Sequence, residues 1–405
     1  MNYKEALREF FYMKQARLFH FVFLLSMCVI SSSLHALSVD AVTPINDREY
    51  SPAMLKLINN SQGNIKLMLY QARFYDKYPD TMSNKFLEAL IEAMKRGVEV
   101  TAVIDISDWN KEGSDYNKEF ANRLVEAGAV VYLDNPDIVS HQKVIIFDDV
   151  ITVVGSTNWS YYALDKNNEV ASIIWSHEVN CAYTSYFNKC VAQSERYMVK
   201  KPRPNLEMAQ KEGFSLLPAV DVKSVNNRDY YPIVHEAISA ARQRVWVAQM
   251  EAFYYMTRPG YAPDRPEGQT VISLANMLLK DLIAAHERGV DVRVVLDVQK
   301  DQQERNLDFA NRLLAHGIKV FYDNPEVTTH AKMLVIDDDI SIIGSTNWSL
   351  NAIEQGNEAS VLIKSEQVAK VYADYLQNLM NTGSSILPSS GFSKPETTTT
   401  TLTRE

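Results

Sequence analysis

The residues best suited to chemistry in this 405-residue chain occur twice, in the same order and at the same spacing. One set follows the pattern H-x-K-x4-D-x6-G-S-x-N from position 141, and the second follows it again 189 positions later. Paired histidines can supply a nucleophile and a general acid near neutral pH, because the imidazole pKa is about 6.5. Paired lysines can neutralise an anion such as a phosphodiester. The motif residues are His141, Lys143, Asp148, Gly155, Ser156 and Asn158, and His330, Lys332, Asp337, Gly344, Ser345 and Asn347.

This duplicated motif resembles the paired motif of the phospholipase D superfamily, whose members cut or exchange phosphodiester bonds. The resemblance is strongest over residues 119–176 and their copy at 308–365. It implies a two-step reaction through a phosphohistidine intermediate, at one site shared by the two halves. We expect His141 to be the nucleophile and His330 to be the general acid. The motif does not specify the substrate, because phospholipases, phospholipid synthases and nucleases of the superfamily all carry it.

The two motif lysines are expected to hold the non-bridging oxygens of the substrate. Lys143 and Lys332 each follow a motif histidine by two residues, so each lies on the same strand face as its histidine if the strand begins there. Because they already supply the positive charge that a metal would bring, we expect no catalytic metal and no cofactor.

The neutral motif residues are expected to support the charged ones. The hydroxyl and carboxamide groups are predicted to donate hydrogen bonds to the phosphate, and the glycines to allow close approach of the backbone. These residues are Ser156, Asn158, Ser345 and Asn347, and Gly155 and Gly344. Asp148 and Asp337 are predicted to act structurally, because they lie in hairpin turns between short apolar runs.

A glutamate stands eleven residues beyond each motif asparagine, Glu169 in the first half and Glu358 in the second. In the superfamily an acidic residue at this place orients a catalytic imidazole, so the resemblance implies that role here. A carboxylate does this by holding one tautomer of the histidine.

Composition favours a globular protein with two domains. Hydrophobic residues make up 46% and charged residues 22% of the 405 positions, which is typical of soluble domains. The formal net charge of −9 offers no basic surface for a long nucleic-acid track. A lipid is therefore favoured as the substrate, and nucleic acid is kept as the alternative.

The N-terminal residues are predicted to be an export signal. Basic residues between Lys4 and Arg17 precede an apolar run from Leu18 to Ile30, and small residues follow around Ala36. The run is shorter than the roughly 20 residues that span a bilayer. We expect residues 1–37 to direct export to a periplasm or the medium, with a membrane anchor formed by residues 18–37 as the alternative.

The whole body of the chain is an internal duplication. Glu119–Leu124 matches Asp308–Leu313, and the tripeptide Asp-Asn-Pro at 134–136 recurs at 323–325. In each half, short β-type runs alternate with helical runs. This predicts an α/β fold of two similar tandem α-β-α sandwich domains around mixed β-sheets, related by pseudo-twofold symmetry.

The domain boundaries follow from composition. We predict domain 1 at residues 38–199, a basic and proline-broken linker at 200–213, domain 2 at 214–382, and a disordered tail at 383–405. Residues 256–269 are an insertion in the second half and a candidate lid or lipid-contact element, with an ordinary surface loop as the alternative.

These observations predict a metal-independent phosphodiesterase of the phospholipase D type that hydrolyses the headgroup phosphodiester of phospholipids at a membrane surface. One alternative is a cardiolipin-synthase-like phosphatidyltransferase, in which an alcohol replaces water. The other is a nuclease of the same superfamily. Because one chain supplies both motifs, we expect a monomer.

Overall fold

Two eight-stranded sheets, one in each half of the chain, form the framework of the protein in a computed structural model. The model describes residue 37 and residues 39–107, 110–197, 213–255 and 273–385. The predicted export signal apart from Leu37, the linker apart from Gly213, the 256–269 insertion and the tail from residue 386 lie outside the described residues. None of the described helices is long and apolar enough to cross a membrane.

The first half forms a mixed sheet with the strand order β1-β7-β6-β5-β2-β3-β4-β8. Strands β2, β3 and β4 run parallel, and the other neighbours pair antiparallel. Its elements are β1 (Ala41–Pro44), α1 (Tyr50–Asn60), β2 (Asn64–Leu69), α2 (Met82–Lys95), β3 (Glu99–Ile104), α3 (Lys111–Ala127), β4 (Val130–Leu133), β5 (Lys143–Phe147), β6 (Ile151–Gly155), α4 (Tyr161–Asp165), β7 (Ala171–Trp175), α5 (His177–Gln193) and β8 (Glu195–Tyr197).

The second half repeats this topology with the strand order β9-β15-β14-β13-β10-β11-β12-β16. Its elements are β9 (Asp221–Asn226), α6 (Tyr230–Ala240), β10 (Arg244–Gln249), α7 (Leu274–Glu287), β11 (Asp291–Leu296), α8 (Lys300–Ala315), β12 (Lys319–Tyr322), β13 (Lys332–Ile336), β14 (Ile340–Gly344), a π-helical turn (Asn351–Gln355), β15 (Ala359–Lys364), α9 (Glu366–Thr382) and β16 (Ser384–Ser385). The predicted α/β fold of two similar tandem domains is confirmed. Strand β16 lies beyond residue 382, so the second sheet continues into the start of the predicted tail.

The two halves share a central hydrophobic core. It contains residues from one face of each sheet together with buried side chains of α5 and α9, while each half keeps a separate outer core. Burying a large apolar side chain completely stabilises the fold by roughly 1.5–3 kcal/mol. Tyr183 of α5 donates its hydroxyl to the Ser360 carbonyl at 2.7 Å, and Tyr372 of α9 donates to the Ala171 carbonyl at 3.0 Å. Each inner helix is thus hydrogen-bonded to the opposite half.

The central hairpins that carry the motif are apolar apart from the lysine that begins β5 and β13 and one small hydroxyl residue in each of β6 and β14. Every residue of β5, β6 and β13 is buried, since helices cover both faces of each sheet. The hairpin turns contain the motif aspartates, and Asp148 and Asp337 adopt left-handed φ values of 51° and 49°. The Asp148 carboxylate accepts hydrogen bonds from the backbone N–H groups of Gly63 at 2.8 Å and Asn64 at 3.1 Å. Both aspartates therefore cap the loop before a neighbouring strand.

We expect Asp148→Ala to lower the free energy of unfolding by about 2–3 kcal/mol, because it leaves buried N–H donors without an acceptor. Activity per folded molecule should be retained. Urea denaturation measures the first effect and a specific-activity assay the second. Asp149→Ala is the matched control, since Asp149 pairs with Lys66 while its side chain is 50% exposed; its cost should stay below about 1 kcal/mol. Equal, small losses for both variants would contradict the capping role of Asp148.

Candidate active site

Both copies of the motif lie at matching edges of the two sheets. Strand β5 begins at Lys143 beside the C-terminal end of β2, and β13 begins at Lys332 beside the C-terminal end of β10. Strands β6 and β14 end at the motif glycines, so the serine and asparagine that follow also emerge at these edges. His141 and His330 stand two residues before β5 and β13.

Short backbone bridges bring the two edges together. The His141 N–H donates to the Asn357 carbonyl at 2.8 Å, and the His330 N–H donates to the Asn168 carbonyl at 3.0 Å. These bonds belong to two parallel bridges between the halves. As a result the imidazole centroids of His141 and His330 are 6.2 Å apart. Both rings can therefore reach a single phosphodiester.

Each imidazole faces the glutamate of the opposite half. His141 Nδ1 lies 3.3 Å from Glu358 Oε2 and 3.0 Å from the Ser345 carbonyl oxygen. His330 Nδ1 lies 3.1 Å from Glu169 Oε2. Glu169 and Glu358 are 0% and 2% exposed. Both predicted glutamates thus reach a motif histidine, and both do so across the boundary between the halves.

The motif serines hold these glutamates. Ser156 Oγ donates to Glu169 Oε2 at 2.5 Å, and Ser345 Oγ donates to Glu358 Oε2 at 2.5 Å. The sequence predicted that these hydroxyls donate to the phosphate. In the structure each hydroxyl is within hydrogen-bonding distance of a glutamate carboxyl of its own half, so donation to the phosphate stays a prediction. The serines therefore orient the carboxyls that orient the histidines.

The motif lysines are buried next to the histidines, each 2% exposed. Lys332 Nζ donates to the His330 carbonyl at 2.5 Å, and Lys143 Nζ donates to the His141 carbonyl. Burial lowers the pKa of Lys143 to about 7 and that of Lys332 to about 8, although nearby glutamates act in the opposite direction. An anion bound between the two lysines would favour their protonated forms and raise both pKa values.

Burial also moves the other ionisable groups towards their neutral forms. It lowers the pKa of His141 well below 6.5 and lowers the pKa of His330 as well. Burial raises the pKa of the Glu358 carboxyl to about 8, despite the opposing effect of Lys143. Burial therefore disfavours the charged form of each of these groups.

The motif asparagines are nearly buried and leave hydrogen-bonding capacity unused. Asn158 and Asn347 are 8% and 9% exposed, and their Oδ1 atoms have no hydrogen-bond partner among the described residues. Buried carboxamides normally find partners, so these two oxygens are open to a group that donates a hydrogen bond.

The motif glycines allow close approach to a neighbouring strand. A Cβ atom on Gly155 would lie 2.4 Å from the Val170 carbonyl oxygen, and one on Gly344 would lie 2.4 Å from the Ala359 carbonyl oxygen. Val170 directly precedes β7 and Ala359 begins β15, so the glycines are required by packing against the start of the neighbouring strand.

Tyr70, which follows β2, is a residue of the site that the repeated motif does not contain. Its ring meets the His141 ring edge-on with centroids 4.6 Å apart, and Lys143 Nζ lies 4.7 Å from its centroid. The corresponding residue of the second half is Met250, whose sulfur lies 3.9 Å from Lys332 Nζ. Because the repeat differs here, a search for matched residues could not find it.

No group of three or more His, Cys, Asp or Glu side chains in the described part of the chain is arranged to hold a metal ion. The independence of catalysis from metals and cofactors stays a prediction.

Comparison with known proteins identifies the family. The family model described as "Cardiolipin synthase, PLD-like domain" matches residues 54–191 and 234–380, one region in each half. The chain belongs to the phospholipase D superfamily. Among its relatives, cardiolipin synthase A of Buchnera aphidicola subsp. Schizaphis graminum is 23% identical over 356 residues, which cover 80% of this chain and 69% of the relative. Cardiolipin synthase of Alkalihalophilus pseudofirmus is 21% identical over 352 residues, which cover 80% and 63%. The match thus spans about two thirds of the length of these curated relatives.

Solved structures of the superfamily fold resemble the protein over most of its length. Phosphatidylserine synthase of Haemophilus influenzae Rd KW20 superposes with a TM-score of 0.63 at 13% identity, covering 87% of this chain and 89% of that one. Polyphosphate kinase of Porphyromonas gingivalis gives a TM-score of 0.54 at 12% identity, covering 83% and 50%. At these identities the similarity establishes the fold.

The cross-half pairing can be tested by NMR titration of the histidine side chains. The negative charge of Glu169 favours the protonated form of His330. We therefore expect Glu169→Gln to lower the pKa of His330 further and to change the titration of His141 much less. Glu178→Gln, a change at an exposed glutamate, serves as the control. A change confined to His141 would mean that each glutamate serves its own half.

The pKa values of the two motif lysines predict how kcat/KM and kcat change at alkaline pH. A lysine must be protonated to attract a phosphodiester, and the pKa values of Lys143 and Lys332 are about 7 and about 8. We expect kcat/KM to fall as pH rises through these values, while kcat holds to higher pH because a bound anion raises both pKa values. Steady-state kinetics from about pH 6 to about pH 9 measure both. A kcat/KM value that stays constant over this range would contradict the role of the lysines.

Proposed function

We propose that the protein is a phosphatidyltransferase of the phospholipase D superfamily that makes cardiolipin by a phosphohistidine mechanism. The observation that carries the proposal is the pair of motif histidines, 6.2 Å apart and each backed by a glutamate. The names of the curated relatives, which are cardiolipin synthases, favour transfer to an alcohol over the hydrolysis expected from sequence alone.

The proposed reaction has two balanced steps. His141 Nε2 attacks the phosphorus of one phosphatidylglycerol, the P–O bond to the headgroup breaks, and His330 gives its proton to the departing glycerol. A glycerol hydroxyl of a second phosphatidylglycerol then attacks the phosphohistidine, and His330 takes its proton. The P–N bond breaks, and the products are cardiolipin and free glycerol.

The surroundings of the two histidines support this division of roles. The Ser345 carbonyl oxygen at His141 Nδ1 can only accept, so Nδ1 carries the proton and Nε2 keeps its lone pair for attack. The Tyr70 ring packs edge-on against the same imidazole. His330 faces the Glu169 carboxylate, whose charge stabilises the protonated ring that a general acid requires.

The remaining motif side chains would stabilise charge on the phosphoryl group. Lys143 and Lys332 would contact the non-bridging oxygens as cations, and the carboxamides of Asn158 and Asn347 would donate neutral hydrogen bonds. Such preorganised donors act strongly in a buried site, where the effective dielectric constant is low. Because the substrates are lipids, we place the reaction at a membrane surface.

The choice between transfer and hydrolysis depends on the acceptor that reaches the phosphohistidine. The His141 and His330 side chains are 12% and 10% exposed, so bulk water has limited access to them. A lipid hydroxyl delivered with its own headgroup would then compete well with water. Export or anchoring by residues 1–37 remains part of the proposal.

The test supplies vesicles of phosphatidylglycerol to the full chain in the presence of EDTA. We expect cardiolipin and glycerol in equal amounts, and no product with His141→Ala. His177→Ala removes an exposed histidine and is the matched control. Phosphatidic acid as the sole lipid product would make the enzyme a hydrolase. Cleavage of DNA without action on lipids would make it a nuclease, and loss of activity in EDTA would contradict the metal-free mechanism.

A substrate with a good leaving group separates the two histidines. Phosphatidyl-p-nitrophenol needs no acid for the first step, so His330→Ala should release a single burst of nitrophenol and retain a phosphatidyl adduct on His141. Mass spectrometry of the digested protein locates the adduct. An adduct on His330 in the His141→Ala variant would reverse the assignment.

A further inference from the structure

Two pairs of buried aspartates lie behind the motif histidines. Asp105 follows β3 and Asp134 follows β4 in the first half, and they are 4% and 5% exposed. Asp297 and Asp323 occupy the same positions after β11 and β12, and they are 0% and 1% exposed. None of these carboxyls has a role in the proposed reaction, and none belongs to the repeated H-x-K motif.

In the first half the pair holds both ends of the loop that carries the histidine. This loop starts at Asp134, whose Oδ1 accepts a hydrogen bond from the Ile106 N–H at 2.7 Å. It ends next to His141, and the preceding Ser140 donates its N–H to Asp105 Oδ1 at 2.8 Å. The position of His141 therefore depends on the two carboxyls.

The second half repeats the arrangement. Asp323 Oδ1 accepts from the Val298 N–H at 2.9 Å, and Asp297 Oδ1 accepts from the Thr329 N–H at 2.8 Å. Thr329 directly precedes His330, as Ser140 precedes His141. Both halves keep the same contacts although the loop sequences differ. In each half the contacts hold the residue that directly precedes the motif histidine.

One oxygen of each pair makes no hydrogen bond of regular geometry. The Oδ2 atoms of Asp134 and Asp323 are buried and have no such partner among the described residues, although the Ser140 and Thr329 hydroxyls act to lower the pKa of these two carboxyls. The register of the parallel strands places the two carboxyls of each pair side by side: Ile104 pairs with Leu133 just before Asp105 and Asp134, and Leu296 pairs with Tyr322 just before Asp297 and Asp323. Two buried carboxylates side by side repel each other, and a proton held between them removes the repulsion and supplies the missing donor.

We propose that each pair shares one proton, and that Asp105 with Asp134 and Asp297 with Asp323 act as positioning residues for the two motif histidines. The proposal uses the proposed function only to give the histidines their task. The shared proton itself does not depend on the substrate.

The electrostatics of the pairs agree with this geometry. Burial and the neighbouring carboxyl raise the pKa of Asp105 to about 8 and that of Asp297 to about 7, and burial raises the pKa of Asp134 to about 6. The other titratable groups that act on the pairs are Lys143, Tyr70 and Cys190 in the first half and Lys332 in the second. Lys143 acts against the increase at Asp105, and burial outweighs it.

The sign of the pH dependence follows from these values. An unfolded aspartate loses its proton near pH ~4, whereas the raised pKa keeps a proton on the folded pair until about pH 8 in the first half and about pH 7 in the second. The folded state therefore binds more protons than the unfolded chain within this window. The stabilisation from the pairs is fully present below it and is lost as pH rises through it.

An asparagine side chain carries N–H donors at every pH, so its amide group can take the place of the shared proton. In Asp134→Asn and Asp323→Asn, the side-chain oxygen can still accept from the Ile106 or Val298 N–H, and the amide group stands where the unpaired Oδ2 was, donating to the neighbouring aspartate. Alanine at the same positions removes both contacts. The test compares the full chain, the double asparagine variant and the double alanine variant.

Thermal unfolding midpoints are measured from about pH 4 to about pH 9. We expect the native protein to lose stability relative to the asparagine variant as pH rises from the low end to about pH 8. A midpoint difference that does not change with pH would overturn the proposal. So would an asparagine variant as damaged as the alanine variant at the low end.

Infrared spectroscopy provides a readout that is independent of folding stability and activity. At neutral pH the native protein should show the C=O stretch of buried carboxylic acids, and this band should be reduced in the asparagine variant. An identical band in both would refute the shared proton.

Turnover tests the positioning role. We expect the alanine variant, where it folds, to lose at least about ten-fold in kcat with little change in KM, because misplacing a reacting group by about 1 Å has effects of this order. The asparagine variant should restore kcat. Unchanged kcat in a folded alanine variant would show that the pairs only stabilise the fold.

Discussion

The active site depends on one reciprocal contact, in which each half of the chain supplies the carboxyl that orients the imidazole of the other half. A buried glutamate or histidine without a hydrogen-bond partner would lower the free energy of unfolding. Glu169 and Glu358 are relieved of this cost by a serine of their own half and a histidine of the opposite half. The backbone bridges beside the histidines and the tyrosines of α5 and α9 fix the distance at which this contact forms.

Burial then sets the chemistry of the cluster. The motif lysines, the motif histidines and Glu358 all have pKa values displaced towards their neutral forms. An incoming phosphodiester reverses this tendency for the lysines, because an anion between them favours their protonated state. Binding of the substrate therefore also favours protonation of the two lysines.

Much of this arrangement could be predicted from the sequence, and the rest could not for physical reasons. The fold and the superfamily were predictable because apolar runs, helical periods and motif spacing are local. The repeat hid the cross-half pairing, since a duplicated motif does not show whether Glu169 faces His141 or His330. Tyr70 was missed because its counterpart is Met250. Asp105 and Ser140 are far apart in sequence, so their contact exists only in the folded chain.

The reciprocity has a consequence for the origin of the chain. A contact in which each partner gives a glutamate and receives one is what twofold symmetry produces between two identical subunits. A single-motif ancestor could therefore have formed the complete site as a homodimer before its gene was duplicated and fused. Fusion freed the two copies to diverge, and the exchange of a tyrosine for a methionine beside otherwise matching histidines is the kind of asymmetry that a homodimer cannot acquire.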